Sequence, residues 1–336
     1  MGDNPAMIET LPGRMRFARF TLLGAMVFAA VFAAGCRRGT PPATPSGEGV
    51  VVTIFPLYDL VRQVAGPDIK VTLLVPPGVS EHGYSPSPAD VKALNGAAIL
   101  VANGGLDDWI ASAHLDRAAS GGQRLVHLMG LLGHDLGPFG GSEDGHDHAG
   151  DEHDHDECAS NPHVWLVPAN ASKLVKRIAD ELTSLYPDKA EGISEREEKV
   201  QQQLAAIAVE YELALEAIAD RRIITYHDAF NPLAEAYGLE VVATVMNMEM
   251  HDVTPARLQE VRRHIEQGGV RAVFIEPQYS SAAAQSLSNL VTLRLLDPLG
   301  DPNRAGYETY DAMMRSNLDN LVKGLRENVP PKGSGG

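Results

Sequence analysis

The sequence predicts an α/β protein of two Rossmann-like lobes, each a parallel sheet with helices on its faces, joined by a long rigid helix. Three observations predict it. From residue 50, short apolar, β-branched runs alternate with segments of helical spacing. The alternation breaks off after Met129 and restarts at Arg222. Between the two stretches, residues 188–219 hold no proline and one glycine. Strand and helix in turn build parallel sheets covered on both faces. The 336 residues leave room for two such lobes, each with its own core.

In the N-terminal lobe, residues 50–187, Val50–Phe55 reads as a strand, Leu57–Ala65 as a helix, and Ile69–Val75 as a strand ended by Pro76-Pro77-Gly78. Helix Pro88–Leu94, strand Ala97–Ala102, helix Asp107–Ala119 and strand Arg124–Met129 follow. From 142 to 160 there is no periodicity and almost nothing apolar, which predicts a disordered, solvated loop. Order returns at His163-Val164-Trp165-Leu166, before helix Ala169–Leu185. The linking helix, residues 188–220, carries apolar residues at 204, 207, 211, 215 and 218 and is expected to be a rod between the lobes. The C-terminal lobe, residues 221–328, reads as strand Arg222–Tyr226, helix Phe230–Tyr237, strand Glu240–Val245 and helix Pro255–Gln267, which has proline in its first turn after Thr254. Strand Ala272–Glu276, helix Ala282–Leu290, strand Thr292–Leu296 and helix Tyr307–Arg326 complete it, with a flexible tail at 329–336.

The chain begins as an exported protein does. Arg14, Arg16 and Arg19 precede an apolar run from Phe20 to Ala34, a basic region and a short hydrophobic region. That run is too short for a comfortable membrane span. Ala33-Ala34-Gly35-Cys36 is similar to a bacterial lipobox, so residues 1–35 read as a signal peptide and Cys36 as a lipidated N-terminus. A plain signal peptide with an incidental cysteine is the alternative. Residues 36–49, rich in Pro, Gly, Thr and Ser, read as a tether. The expected location is extracytoplasmic and membrane-anchored, as a monomer. A net charge of −16 argues against nucleic acid and anionic lipid surfaces.

Eight of the acids lie in one tract, together with His146, His148, His153, His155 and Cys158. These histidines alternate with carboxylates on a segment expected to hold no fixed geometry, so they read as weak, auxiliary metal ligands. A defined site belongs elsewhere, because open parallel sheets bind ligands beyond the carboxyl ends of their strands. His82 follows the strand ending at Val75, His163 stands where order resumes, His227 directly follows Tyr226, and Asp297 directly follows Leu296. Two come from each lobe, which places the site in the interlobe cleft. Three imidazoles and a carboxylate form a tetrahedral set suited to zinc. Spacing alone leaves structural roles open, since an aspartate before proline also caps turns. Glu276, at a strand end, could orient a histidine N–H. Met246-Asn-Met-Glu-Met-His251 carries soft donors, but its alternation reads as packing at a strand end.

Five ordered motifs give the chain a resemblance: Gly78-Val-Ser-Glu-His82-Gly-Tyr-Ser-Pro-Ser-Pro-Ala-Asp90, Asn161-Pro-His163-Val-Trp165-Leu, Tyr226-His227-Asp-Ala-Phe230, Phe274-Ile-Glu276-Pro-Gln and Leu296-Asp297-Pro-Leu-Gly300. Over residues 50–326 the sequence resembles the zinc/manganese class of solute-binding lipoproteins that feed ABC importers. The resemblance implies that His82, His163, His227 and Asp297 hold one ion between the lobes and that a membrane permease is the partner. Zinc carriers of that class commonly have His at the third position and manganese carriers Glu, so His227 favours Zn²⁺ as the transported ligand. They also often insert a His- and acid-rich loop before the second ligand. Asn161 departs from the usual Asp, and Glu81 from a commoner small residue or proline; Glu81 could contribute an oxygen. Trp165 is expected to pack beside His163.

The expected function is therefore a high-affinity zinc receptor of an ABC importer, and not an enzyme. A manganese or iron receptor of the same type, or a zinc metallochaperone or adhesin, is the alternative. A zinc hydrolase needs an open coordination position, which a fourth protein ligand would fill, and no HExxH helix is present.

Overall fold

The innermost strands of both sheets are segments where apolar residues run without interruption. The computed structural model describes residues 47–107, 109–110, 120, 122–134, 161–246, 253–267, 270–279 and 282–326. In it β1 (Val50–Val52) and β3 (Ile99–Ala102) are buried along their whole length. Strands covered on both faces require such runs. β2 (Val71–Leu73) and β4 (Arg124–His127) flank them in a parallel sheet of order β2-β1-β3-β4. Val51 stands opposite Thr72 on one side and Leu100 on the other. The second lobe repeats the plan with β5 (Arg222–Thr225), β6 (Glu240–Thr244), β7 (Ala272–Ile275) and β8 (Thr292–Leu295), again parallel, in order β6-β5-β7-β8. In each sheet the chain steps outward from its first strand and then crosses back past it. A crevice-forming switch point therefore lies between β1 and β3, and another between β5 and β7.

Helices begin where local chemistry supplies a start. α1 (Phe55–Ala65) has Pro56 in its first turn, which is why β1 stops at Val52 rather than at Phe55. α2 (Pro88–Gly96) opens on a complete capping box between Ser87 and Asp90. A one-turn α3 (Leu128–Leu131) follows β4, and α4 (Pro168–Leu185) precedes the long α5 (Ala190–Glu216). In the second lobe come α6 (Asn231–Tyr237) and α7 (Pro255–Glu266), whose start is capped by Thr254 as the sequence suggested. α8 covers only Ala282–Gln285, shorter than expected, and the Ser286 hydroxyl bonds back to Ala283 O at 2.6 Å in competition with a helical backbone. α9 (Tyr310–Arg326) starts three residues late, where Thr309 Oγ1 accepts the Ala312 N–H and buried Asp59 of α1 accepts the Tyr310 N–H at 2.9 Å. The leader with Cys36, tether residues 36–46, most of the helix expected over 107–119, the acidic tract, residues 247–252 and the chain from 327 lie outside the described residues. Among the described residues no helix is long and apolar enough to cross a membrane.

The core departs from expectation. The inner faces of the two lobes share one continuous apolar cluster, running from Val52 and Leu57 through Trp165, Ile207 and Tyr211 to Phe230, Leu296 and Met313. Only the outer faces have separate clusters, one around Leu94 and Leu100 and one around Val245 and Val273. The 27 residues of α5 span about 40 Å, but the helix is no bare rod. Its Ile193, Val200, Leu204, Ile207 and Leu215 are buried, and Tyr211 Oη donates to Met314 O of α9 at 2.7 Å. Polar ties cross the same seam: Trp165 Nε1 donates to Pro298 O at 2.7 Å, and Tyr310 Oη to Trp165 O at 2.7 Å.

A shared core makes the lobes one cooperative unit. Metal-free protein should unfold in a single calorimetric transition whose van't Hoff and calorimetric enthalpies agree. Two resolved transitions would show that the lobes fold independently.

Candidate metal centre

His227 stands just past a strand end, Glu81 and His82 in the loop beyond β2, and His163 at the start of the segment that leads into α4. Beyond β2 the chain passes Pro76 and Pro77, which cannot extend a sheet, into a single tight turn, Glu81–Gly83. Tyr84 Oη pins this loop, bonding Leu74 O at 3.1 Å and Asp90 Oδ2 at 2.7 Å. From the opposite lobe, Tyr279 Oη and Ser80 Oγ hydrogen-bond at 3.2 Å. The segment carrying His163 is fixed by Asn103 at the end of β3, whose Nδ2 donates to Pro162 O at 2.7 Å. His227 lies two residues past β5, where Thr225 Oγ1 donates to His227 O at 2.7 Å.

Glu81, His82, His163 and His227 converge, with one donor atom from each lying within 4.8 Å of all the others. Glu81 Oε1 is 3.3 Å from His163 Nε2 and 3.8 Å from His82 Nε2, and the Nε2 atoms of His163 and His227 are 3.2 Å apart. A tetrahedral ion bound at 2.0–2.1 Å has its donors about 3.3 Å from one another. Glu81, His163 and His227 are fully enclosed, whereas the His82 side chain keeps 14% exposure. It lines a cavity of about 460 Å³ with Ser80, Tyr226, Met246, Val253 and Tyr279, which is the route from solvent to the donors.

Hydrogen bonds fix which imidazole nitrogens face inward. Asn161 Oδ1 accepts the His163 backbone N–H at 3.0 Å, while its Nδ2 donates to Asp228 O at 2.8 Å, so the amide has only one workable orientation. The same oxygen lies 2.9 Å from His163 Nδ1, which must therefore carry the proton. His227 Nδ1 lies 2.6 Å from Glu276 Oε1 and donates to it. The Nε2 atoms of both rings face inward, 3.2 Å from each other, with His163 Nε2 also 3.3 Å from Glu81 Oε1.

Electrostatics sharpen this picture. Burial pushes the His163 pKa down, helped by the charge of His227 and only partly opposed by Glu81. His227 is also penalised by burial, but the Glu276 carboxylate outweighs that and raises it. Burial raises Glu276 itself. For Glu81 burial works upward, yet the hydrogen bond from His163 and the charges of His163 and His82 hold it below the usual carboxylate value. Glu81 thus stays ionised where a cation would bind.

The expected and observed donor groups agree on the three histidines and differ in the fourth member. Glu81, expected at most as an adjunct, joins them; Asp297 does not. Asp297 is fully buried, ion-paired to Arg304, and its Oδ1 accepts Gln278 Nε2 at 2.5 Å and the Leu299 N–H at 3.0 Å. Trp165 lies against His163 with ring centroids 5.1 Å apart. Met246 is buried in the outer core of the second lobe. His146, His148, His153, His155 and Cys36 lie outside the described residues. The sequence reading missed the acceptor role of Asn161, although its place two residues before His163 hinted at it. It also missed Arg304, for which no local pattern gave a signal.

Residues 50–324 match the family described as zinc-uptake complex component A, periplasmic. The zinc-binding lipoprotein AdcA of Streptococcus pneumoniae is 31% identical over 84% of this chain and 56% of its own length. The chain thus spans about half the length of that relative. The high-affinity zinc uptake system protein ZnuA of Bacillus subtilis is 28% identical over 90% of this chain and 97% of its own. Among solved structures, the Zn(II)-bound ZnuA-like domain of Streptococcus pneumoniae AdcA superposes with a TM-score of 0.66 at 27% identity, covering 84% of this chain and 100% of that one. The periplasmic zinc-binding protein TroA of Treponema pallidum shares the fold, with a TM-score of 0.69 at 23% identity over 84% of this chain and 100% of that one.

The hydrogen bonds dictate tautomers that nuclear magnetic resonance can read. In metal-free protein at pH 8, long-range ¹H–¹⁵N spectra should show His163 and His227 both protonated at Nδ1. A ring bare at Nδ1 would contradict the geometry.

Proposed function

Because the chain belongs to the family of periplasmic zinc-uptake complex components, component A, we infer that it is an extracytoplasmic receptor that captures Zn²⁺ and delivers it to an ABC-type membrane importer. The observation that carries this reading is the convergence of Glu81, His82, His163 and His227, each with a donor atom within 4.8 Å of the others. That is spacing suited to the donors of a tetrahedral ion. His82, His163 and His227 supply three nitrogen donors and Glu81 the fourth, an oxygen. Asn161 and Glu276 orient the rings from behind. Three imidazoles suit zinc better than the oxygen-rich shells preferred by Mn²⁺. Four converging protein donors also leave no position for the activated water that a hydrolase needs.

The leader and Cys36 support export and lipid anchoring of a monomer beside its permease. The tract carrying His146, His148, His153 and His155 serves as an antenna: its acids attract cations and its imidazoles hold them briefly near the cleft. Its composition, acids and imidazoles with almost nothing apolar, suits weak and transient ion binding rather than a tight site.

Isothermal titration of single variants tests the ligand set. His82→Ala, His163→Ala and His227→Ala should each abolish tight Zn²⁺ binding while leaving the folded circular-dichroism spectrum unchanged. Asn161→Ala and Glu276→Gln should weaken it by about 10–100-fold, the cost of losing an outer orienting partner. Full affinity in any of the three histidine variants would remove that residue from the site.

The antenna reading has its own test. Deleting residues 143–157 should leave one tight zinc site at nearly unchanged affinity, abolish the additional weak equivalents, and slow zinc capture in stopped-flow competition with a chelator. Loss of the tight site on deletion would mean that the tract supplies a primary ligand.

A further inference from the structure

Among the described residues, β2 has a strand on one side only. It ends the order β2-β1-β3-β4, and its three residues are half-buried. Val50 N donates to Lys70 O at 2.8 Å, and Leu74 N to Val52 O at 2.9 Å. The even-numbered residues therefore face β1, and Val71 and Leu73 turn their N–H and C=O groups outward. Other edges are blunted. β6 carries an extra residue, Val242, in its pairing with β5, and at the start of β4 Arg124 is tied to Glu181 of α4 at 2.7 Å. Such a bulge discourages further pairing, whereas the register of β1 with β2 runs without a break.

A groove runs along each face of this edge. On one face Thr72 lines a cavity of about 390 Å³ with Glu48 and with Ala89, Lys92 and Ala93 of α2. On the other, Val71 lines a cavity of about 480 Å³ with Ile69 and with Tyr58 and Arg62 of α1. Lys70 stands at both. Consecutive residues of a strand point to opposite faces, so a strand added here places its side chains alternately in the two grooves.

Charge selects the occupant. The two linings carry Arg62, Lys70 and Lys92 against one acid, Glu48, on a chain whose net charge is −16. A second copy pairing edge to edge would bring these cations together, and lysines on an edge oppose that association. The tether is unsuited as well. Residues 37–46 begin with two arginines and hold three prolines, which share the sign of the rim and cannot donate to a ladder.

We propose that the β2 edge is a docking site for an extended, acidic segment of a partner protein, which adds to the sheet as a further strand. Its main chain bonds Val71 and Leu73. Apolar side chains lie toward Tyr58 and Ile69 on one face, and carboxylates meet Lys70 and Lys92 on the other. The inference is independent of the metal centre.

A blocked peptide alternating Glu and Val is the probe, titrated at low salt into ¹⁵N-labelled protein. At saturation, exchange of the Val71 and Leu73 amide hydrogens should slow about tenfold or more, as for newly bonded strand amides. Amide shifts should be confined to β2, α1 and α2, with zinc affinity unchanged. The matching peptide of Lys and Val should bind about tenfold more weakly or worse, and added salt should weaken the acidic peptide. Lys70→Glu/Lys92→Glu should abolish the preference for the acidic peptide. Val71→Pro removes an outward N–H, which an edge tolerates, and should abolish the protection of Leu73. The lysine variant carries the test if Val71→Pro does not fold. Unprotected Val71 and Leu73 in wild-type protein, equal binding of the two peptides, or shifts confined to the metal cleft overturns the proposal and leaves the zinc receptor untouched.

Discussion

The two imidazole nitrogens that face each other across 3.2 Å, one from each lobe, set the constraint that the rest of the structure has to satisfy. They lie at hydrogen-bonding distance, and an ion between them would replace that contact with two coordinate bonds. A site already assembled binds its ion without a large ordering cost. Backbone and core hold the two rings in place: His163 is fixed through Pro162 and Asn103 at the end of β3, and His227 through Thr225 at the end of β5.

Holding those two ends in register requires that the lobes not drift, and the shared core answers that need. Trp165 serves both purposes. Its ring fills the cluster and lies against His163, while its Nε1 reaches Pro298 O in the other lobe. Asp59 ties α1 to the start of α9, and Tyr211 ties α5 to the middle of α9. Against this fixed frame, the turn carrying Glu81 and His82 is the lightly held part of the centre. It packs through Tyr84 and Ser80 at the margin of the cleft, and it carries the one ligand candidate that solvent reaches.

The sequence made the sheets legible because their inner strands are short, uninterrupted apolar and β-branched runs, as strands covered on both faces require. It made the histidines legible because strand ends point into the cleft. Where it fell short, tertiary context decided. Nothing local to the motif around Asp297 reveals that an arginine seven residues on pairs with the carboxylate. Glu81 looked incidental beside His82 until the turn brought both inward. The lobes looked independent because α5, read alone, has only a narrow apolar stripe; it packs on the neighbouring α4 and also on α1 and α9, which come from distant parts of the chain. Strand lengths were overestimated where Pro56 starts a helix early, and α8 where serine hydroxyls compete for its carbonyls.

Charge balance connects these departures. Three carboxylates, Glu81, Glu276 and Asp297, are buried around the centre, and Arg304 compensates one of them. A dication bound there would balance the other two. Burial pushes the pKa of Glu276 up, opposed by the charge of His227 and its hydrogen bond. Asn161 fits the same account. An aspartate there would orient His163 equally well but would add a further, partly buried carboxylate beside the centre. The amide gives the same acceptor to Nδ1, carries no charge, and uses its spare N–H on Asp228 O, adding one more tie to the residue that follows His227.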